Sequence, residues 1–159
     1  KVSDAIDHVE LLEAMRVSCK DFVSDARQLW CRLVFNHLLN HGGLDLRKLG
    51  FLYAGRGLWR LAPACGLLPQ LEPTRNPARR LTRGLRLNTS LDRLLEDAEA
   101  FEVQRTDAMH MLRRQLLALL GWKTLAKQFA INVSDSDLAL LEPVIHNPQL
   151  KFARQLLNV

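Results

Sequence analysis

The chain is short of nearly every signature that would assign it a chemistry. Its three cysteines, Cys19, Cys31 and Cys65, form an odd set with no CxxC or other ligand spacing, which argues against a disulfide framework and against a cysteine zinc site. Reduced, buried thiols of a cytoplasmic protein are expected. No apolar run approaches the roughly 18 to 20 residues needed to cross a bilayer. The opening Lys1-Val2-Ser3-Asp4 lacks the basic-then-apolar layout of a leader, and a trimmed or excised domain is expected. Alternation of apolar and polar residues at period two is also lacking, which leaves little basis for a sheet. Fixed-period repeats and low-complexity tracts are absent as well.

Apolar residues at helical spacing are plentiful. In the 159-residue chain, 48% of residues are hydrophobic and 25% charged, a balance typical of one globular domain with its own core. Ile6, Val9, Leu12, Met15, Cys19, Phe22, Ala26, Leu29, Leu33 and Leu38 recur every three or four residues, the stripe of a helix with one buried face. A continuous helix to His41 would be too long for a compact chain of this size. A break is therefore expected near Ser18, where Ser18 and Asp21 have the form of a capping box. Asp45 suits the cap of a third helix through Ala54, and the glycines and prolines from Gly55 to Pro69 cut the next stretch into short helical turns. A loop is expected at 69–76, then a short helix from Pro77 to Arg86 capped by Asn76.

The clearest helical run extends from Ser90 to Leu120, carried by Leu91, Leu94, Phe101, Ala108, Leu112, Leu116 and Leu119. Arg105 interrupts its apolar seam, and Thr106 is a point where it restarts. Shorter helices fit Trp122–Ala130, Ser134–Leu141, with Ser134 and Asp137 as a capping box, and Pro148–Leu157. The class predicted is all-α: one domain over 1–159 with about six to eight helices, two of them long and amphipathic.

A net charge of +5 and a pI near 9.5 invite a nucleic-acid reading, so the location of the charge matters. Residues 1–74 carry nine Lys/Arg against eight Asp/Glu, residues 87–159 eight against nine, and residues 75–86 five Arg and no acid. The excess is one basic segment on a neutral protein, not a diffuse polyanion-binding surface. Arg79, Arg83 and Arg86 would share one side of a helix and Leu81 and Leu85 the other. Arg75, Arg79, Arg80, Arg83 and Arg86 are accordingly the candidate partner-binding residues, facing an acidic protein surface or pairing with the acids at Glu96, Asp97, Glu99 and Glu102.

Catalytic and metal chemistries find weaker support. His37 and His41 stand four apart, as two zinc ligands on a helix do, but the adjacent Glu of a metalloprotease motif and a placed third ligand are missing. Helix-end histidines facing the negative pole of the dipole are the simpler reading. Glu99 and Glu102 lie opposite the apolar seam, on a solvated face where nothing would shift a carboxylate pKa. Gly55-Arg56-Gly57 lacks the full pattern of a phosphate loop. Trp122–Glu142 imitates a helix-turn-helix, yet its second helix would present Asp135, Asp137 and Glu142 to a polyanion. The sequence thus points to a non-enzymatic protein-interaction module, a helical adaptor, chaperone-like or regulatory domain, with no catalytic, cofactor or metal residues. The alternative is a nucleic-acid binder that uses Arg75–Arg86 weakly.

Overall fold

The computed structural model describes residues 8–39, 44–46, 49–65, 86–87, 90–129 and 133–159. Within them the fold is all-α: α1 (His8–Ser18), α2 (Phe22–Leu38), α3 (Leu91–Glu96), α4 (Arg105–Leu120), α5 (Trp122–Phe129), α6 (Asp135–Ile145) and α7 (Pro148–Leu157). None of these helices is long and apolar enough to cross a membrane.

The break between α1 and α2 falls where chain length demands one. The cap is Asp21 alone, whose carboxylate accepts the Ser24 N–H at 3.2 Å, so Ser18 is the last residue of α1, not the cap of α2. The intervening residues serve as a sheet edge: the Lys20 N–H donates to the Trp59 carbonyl at 2.8 Å.

Residues 51–61 do not form the helix and helical turns expected of them. Leu44–Asp45 (β1) pairs antiparallel with Arg86–Leu87 (β4), Asp45 opposite Arg86. Phe51–Gly55 (β2) and Leu58–Leu61 (β3) form a hairpin with Phe51 opposite Leu61, Leu52 opposite Arg60 and Tyr53 opposite Trp59. Gly55, Arg56 and Gly57 have φ of 87°, 54° and 75°, a left-handed run that no right-handed helix contains and that glycine makes accessible. Period two is illegible here because both faces carry large apolar residues: Phe51, Tyr53 and Trp59 on one, Leu52 on the other. The loop expected at 69–76 and the helix expected from Pro77 lie outside the described residues, apart from Arg86, which is in a strand.

The run from Ser90 to Leu120 is also divided. Ser90 caps α3 by accepting the Arg93 N–H. A 3₁₀ turn (Ala98–Phe101) then ends at Glu102, whose φ of 59° is left-handed, and α4 restarts at Arg105. The apolar seam survives the bend, since Leu94, Phe101, Leu112 and Leu116 are all fully buried.

α2 is the centre of the packing, touching α1, α3, α4, α7 and β3. Trp30 on it is fully buried and satisfies its indole N–H by donating to the Leu94 carbonyl at 2.8 Å, the partner a buried tryptophan requires. Asn147 joins three helix ends. Its amide nitrogen donates to the Leu38 and Val144 carbonyls, both at 2.6 Å, while its Oδ1 accepts the Leu150 N–H at the start of α7.

Candidate functional site

The β2–β3 hairpin stands out because it gathers three exposed large apolar side chains, where each helix carries two at most. Leu52, Tyr53 and Trp59 are 57%, 64% and 42% exposed, three large apolar side chains on eleven consecutive residues, where isolated exposed apolar residues would call for no explanation. Local geometry fixes two of them. Tyr53 and Trp59 face each other across the strands with ring centroids 5.5 Å apart at 69°, the edge-to-face arrangement that aromatic quadrupoles favour. The Tyr53 hydroxyl accepts the Gly57 N–H at 3.3 Å, which holds the ring over the turn.

A groove lies on each side of the hairpin. One, of about 340 Å³, is apolar and lies between Leu11, Met15 and Ser18 of α1 and Phe51 and Trp59. The other, of about 960 Å³, runs between α2 and Leu52, Arg60 and Leu61, with Pro63, Ala64 and Met111 also contributing. Its charged residues are Asp21, Arg27, Arg32 and Arg60. Asp21 is engaged in capping α2. Arg27 donates from Nε to the Glu102 carbonyl at 2.8 Å and pairs with Asp107 at 3.2 Å. Arg32 donates to two neutral oxygens, the Ala62 carbonyl at 2.6 Å and Gln28 Oε1 at 3.4 Å. Burial pushes the Arg32 guanidinium below its ordinary range, with the charges of Asp25 and Cys65 acting in the opposite direction; an arginine remains a cation throughout.

The residues singled out in the sequence fall elsewhere. Arg75, Arg79, Arg80 and Arg83 lie outside the described residues. Arg86 is in β4, opposite Asp45, and not on an amphipathic helix. Of the acidic group, Glu96 and Glu99 are exposed, as a solvated face requires, whereas Asp97 and Glu102 are half-buried. The ion partners it shows come from nearby helices: Arg93 Nε lies 2.6 Å and His8 Nε2 3.0 Å from Asp97, and Arg16 lies 3.2 Å from Glu102.

His41 lies outside the described residues, and His37 is buried. Burial pushes the His37 pKa down, the opposite of a helix-end imidazolium stabilised by the dipole. The thiols divide: Cys19 is buried, Cys31 half-buried and Cys65 exposed, so burial of all three does not hold. On α6 the acids are matched by lysines of α5, with Lys127 2.9 Å from Asp135 and Lys123 2.8 Å from Glu142. Each lysine's hydrogen bond lowers the pKa of its partner carboxyl.

Sequence reasoning missed the hairpin, Arg32 and Arg60. The signal for the hairpin was the pair of glycines around Arg56 between two runs of aromatic and aliphatic residues. The arginines carried none, because they become neighbours only through the fold. No protein-family model, curated protein or solved structure matches the chain.

Proposed function

We propose that the chain is a cytoplasmic, non-enzymatic protein-interaction module, a helical adaptor or regulatory domain, that engages its partner through the β2–β3 hairpin. The observation that carries this reading is the joint exposure of Leu52, Tyr53 and Trp59 on one hairpin. Large apolar side chains gathered on both faces of one hairpin are unfavourable in contact with water unless something covers them. Tyrosine, tryptophan and arginine are also the side chains that carry most binding energy in protein interfaces, and Arg60 stands opposite Leu52 on the same hairpin. Pinned by the Gly57 N–H and by each other, the two rings lose little side-chain freedom on binding.

The test is quantitative affinity capture from source lysate with nuclease treatment, comparing the natural chain with Tyr53→Ala/Trp59→Ala at matched helical content. A partner captured by the former and depleted by the double substitution supports the reading. Capture unaffected by the double substitution, or eliminated by nuclease and by Arg79→Ala/Arg83→Ala, contradicts it and favours nucleic-acid binding through Arg75–Arg86, which the concentration of charge in that segment supports.

A further inference from the structure

We propose that the groove between α2 and the hairpin binds a short, extended peptide segment in which acidic and apolar side chains alternate. This deepens the proposed function and rests on it. Among the described residues neither Arg32 nor Arg60 has a carboxylate within 4.0 Å: Arg32 donates to a carbonyl and an amide oxygen, and Arg60 has no ion pair. Two cations therefore face one groove with no carboxylate of the described residues in direct contact, Asp25 acting on Arg32 only through its charge at longer range. Among the described residues that line the groove the one acid is Asp21, which forms no ion pair with either guanidinium and is committed to the Ser24 N–H. A guanidinium presents paired donors in a plane that matches a carboxylate. Arg32 is preset for this, since its bond to the Ala62 carbonyl fixes the head group before any ligand arrives.

The apolar part of the ligand follows from Val23 and Leu52, 49% and 57% exposed on opposite walls of the groove. A bare anion would leave both in water, whereas aliphatic side chains beside the carboxylates would cover them. Length follows from the α2 wall, which from Asp21 to Arg32 runs about 16 Å at about 1.5 Å per residue, the span of about five residues of extended chain at about 3.3 Å each. The chain's own Arg75–Arg86 segment has the wrong sign to be the occupant.

The probe is a labelled hexapeptide, Asp-Leu-Asp-Leu-Asp-Leu, with Lys-Leu-Lys-Leu-Lys-Leu, Asp-Ser-Asp-Ser-Asp-Ser and a duplex oligonucleotide as counterparts, titrated by fluorescence anisotropy. The acidic-apolar peptide is expected to bind in the micromolar range, the other two peptides at least about tenfold more weakly. Arg60→Glu should lower its affinity about tenfold or more, an exposed change that leaves the fold intact, and Leu52→Ala should lower it severalfold. Equal binding of the basic peptide, indifference to both substitutions, or preferential binding of the oligonucleotide with loss in Arg60→Glu would overturn the proposal. If the peptide does not bind while partner capture still depends on Tyr53 and Trp59, the groove assignment falls and the interaction module stands. If the peptide binds as stated while capture ignores the hairpin aromatics, the groove stands and the hairpin reading falls.

Discussion

Arg32 on α2 donates to the Ala62 carbonyl at 2.6 Å, thirty residues along the chain and just past β3, so one side chain fastens the hairpin to the central helix. The remaining ties between hairpin and helices include the Lys20 N–H bond to the Trp59 carbonyl and the burial of Leu61. Replacing Arg32 with Met keeps most of the apolar stem and removes the bond. A charged hydrogen bond of this kind is worth about 1.5 to 3 kcal/mol, with partial exposure placing it toward the lower figure. Hydrogen exchange should show amides of residues 51–61 losing protection while those of α2 and α4 keep theirs; uniform loss throughout would mean that the hairpin is not separately anchored.

Asn147 supplies the second test of the architecture. It closes α2, closes α6 and caps α7 with one amide, and it is 3% exposed. Asn147→Ala leaves two carbonyls and an N–H to find new partners in a buried site, which costs on the order of 2 to 4 kcal/mol. Chemical denaturation measures it. A change within about 0.5 kcal/mol, as at an ordinary surface position, would show that the three helix ends are held by other means.

The cysteines predict an order of reactivity. Cys65 is exposed and Cys31 half-buried, with burial raising the Cys31 pKa against Arg114 and Gln115, which lower it. Cys19 is pushed up to about 11 by burial first, then by the charge of Asp25 and the hydrogen bond its thiol donates to that carboxylate. Thiolates, not thiols, react. Labelling at neutral pH should modify Cys65 first, Cys31 slowly and Cys19 only on unfolding. Because the folded Cys19 pKa exceeds the unfolded one, the unfolded chain ionises first, and stability falls as pH rises from about 9 toward about 11. Cys19→Ala should flatten that slope.

His37 predicts the behaviour at the acid end. Burial lowers its folded pKa below its ordinary value of 6.5. Above that value both states are neutral and pH has no effect through this group. Below it the unfolded chain takes up the proton first, so stability falls as pH drops through 6.5 toward the folded value. His37→Phe should remove that component from the dependence of the denaturation midpoint on pH; an unchanged acid slope would show that His37 titrates alike in both states.

Helices were legible wherever one face alone is buried. Leu94, Phe101, Leu112 and Leu116 announce the core through spacing, and Ser134 with Asp137 announces the start of α6, where both bonds of a capping box form. Bends inside an apolar seam were harder to place. The interruption of the seam at Arg105 marks where α4 restarts, but the 3₁₀ turn keeps Phe101 in register with the core while Glu102 turns left-handed, so the periodicity does not mark the bend before it. The hairpin was misread because its two faces both carry apolar residues, which at short range resembles a helix chopped by glycine. Polar pairings over long separations, such as Arg32 with Ala62 or Asn147 with Leu38, depend on the assembled fold and leave no local trace. The candidate site is made of such features, whereas charge counting drew attention to Arg75–Arg86.

Photo-cross-linking from the hairpin is the sharpest test of whether Tyr53 and Trp59 meet a protein partner. A photoreactive phenylalanine analogue at Tyr53, with the same analogue at exposed Gln155 on α7 as control, reports which proteins touch each position in nuclease-treated source lysate. A discrete protein adduct is predicted from position 53, absent from position 155 and suppressed by excess unlabelled protein but not by its Trp59→Ala form. Equal adduct patterns at both positions, or none at position 53 while a partner is still captured, would contradict the interaction of this hairpin with a partner.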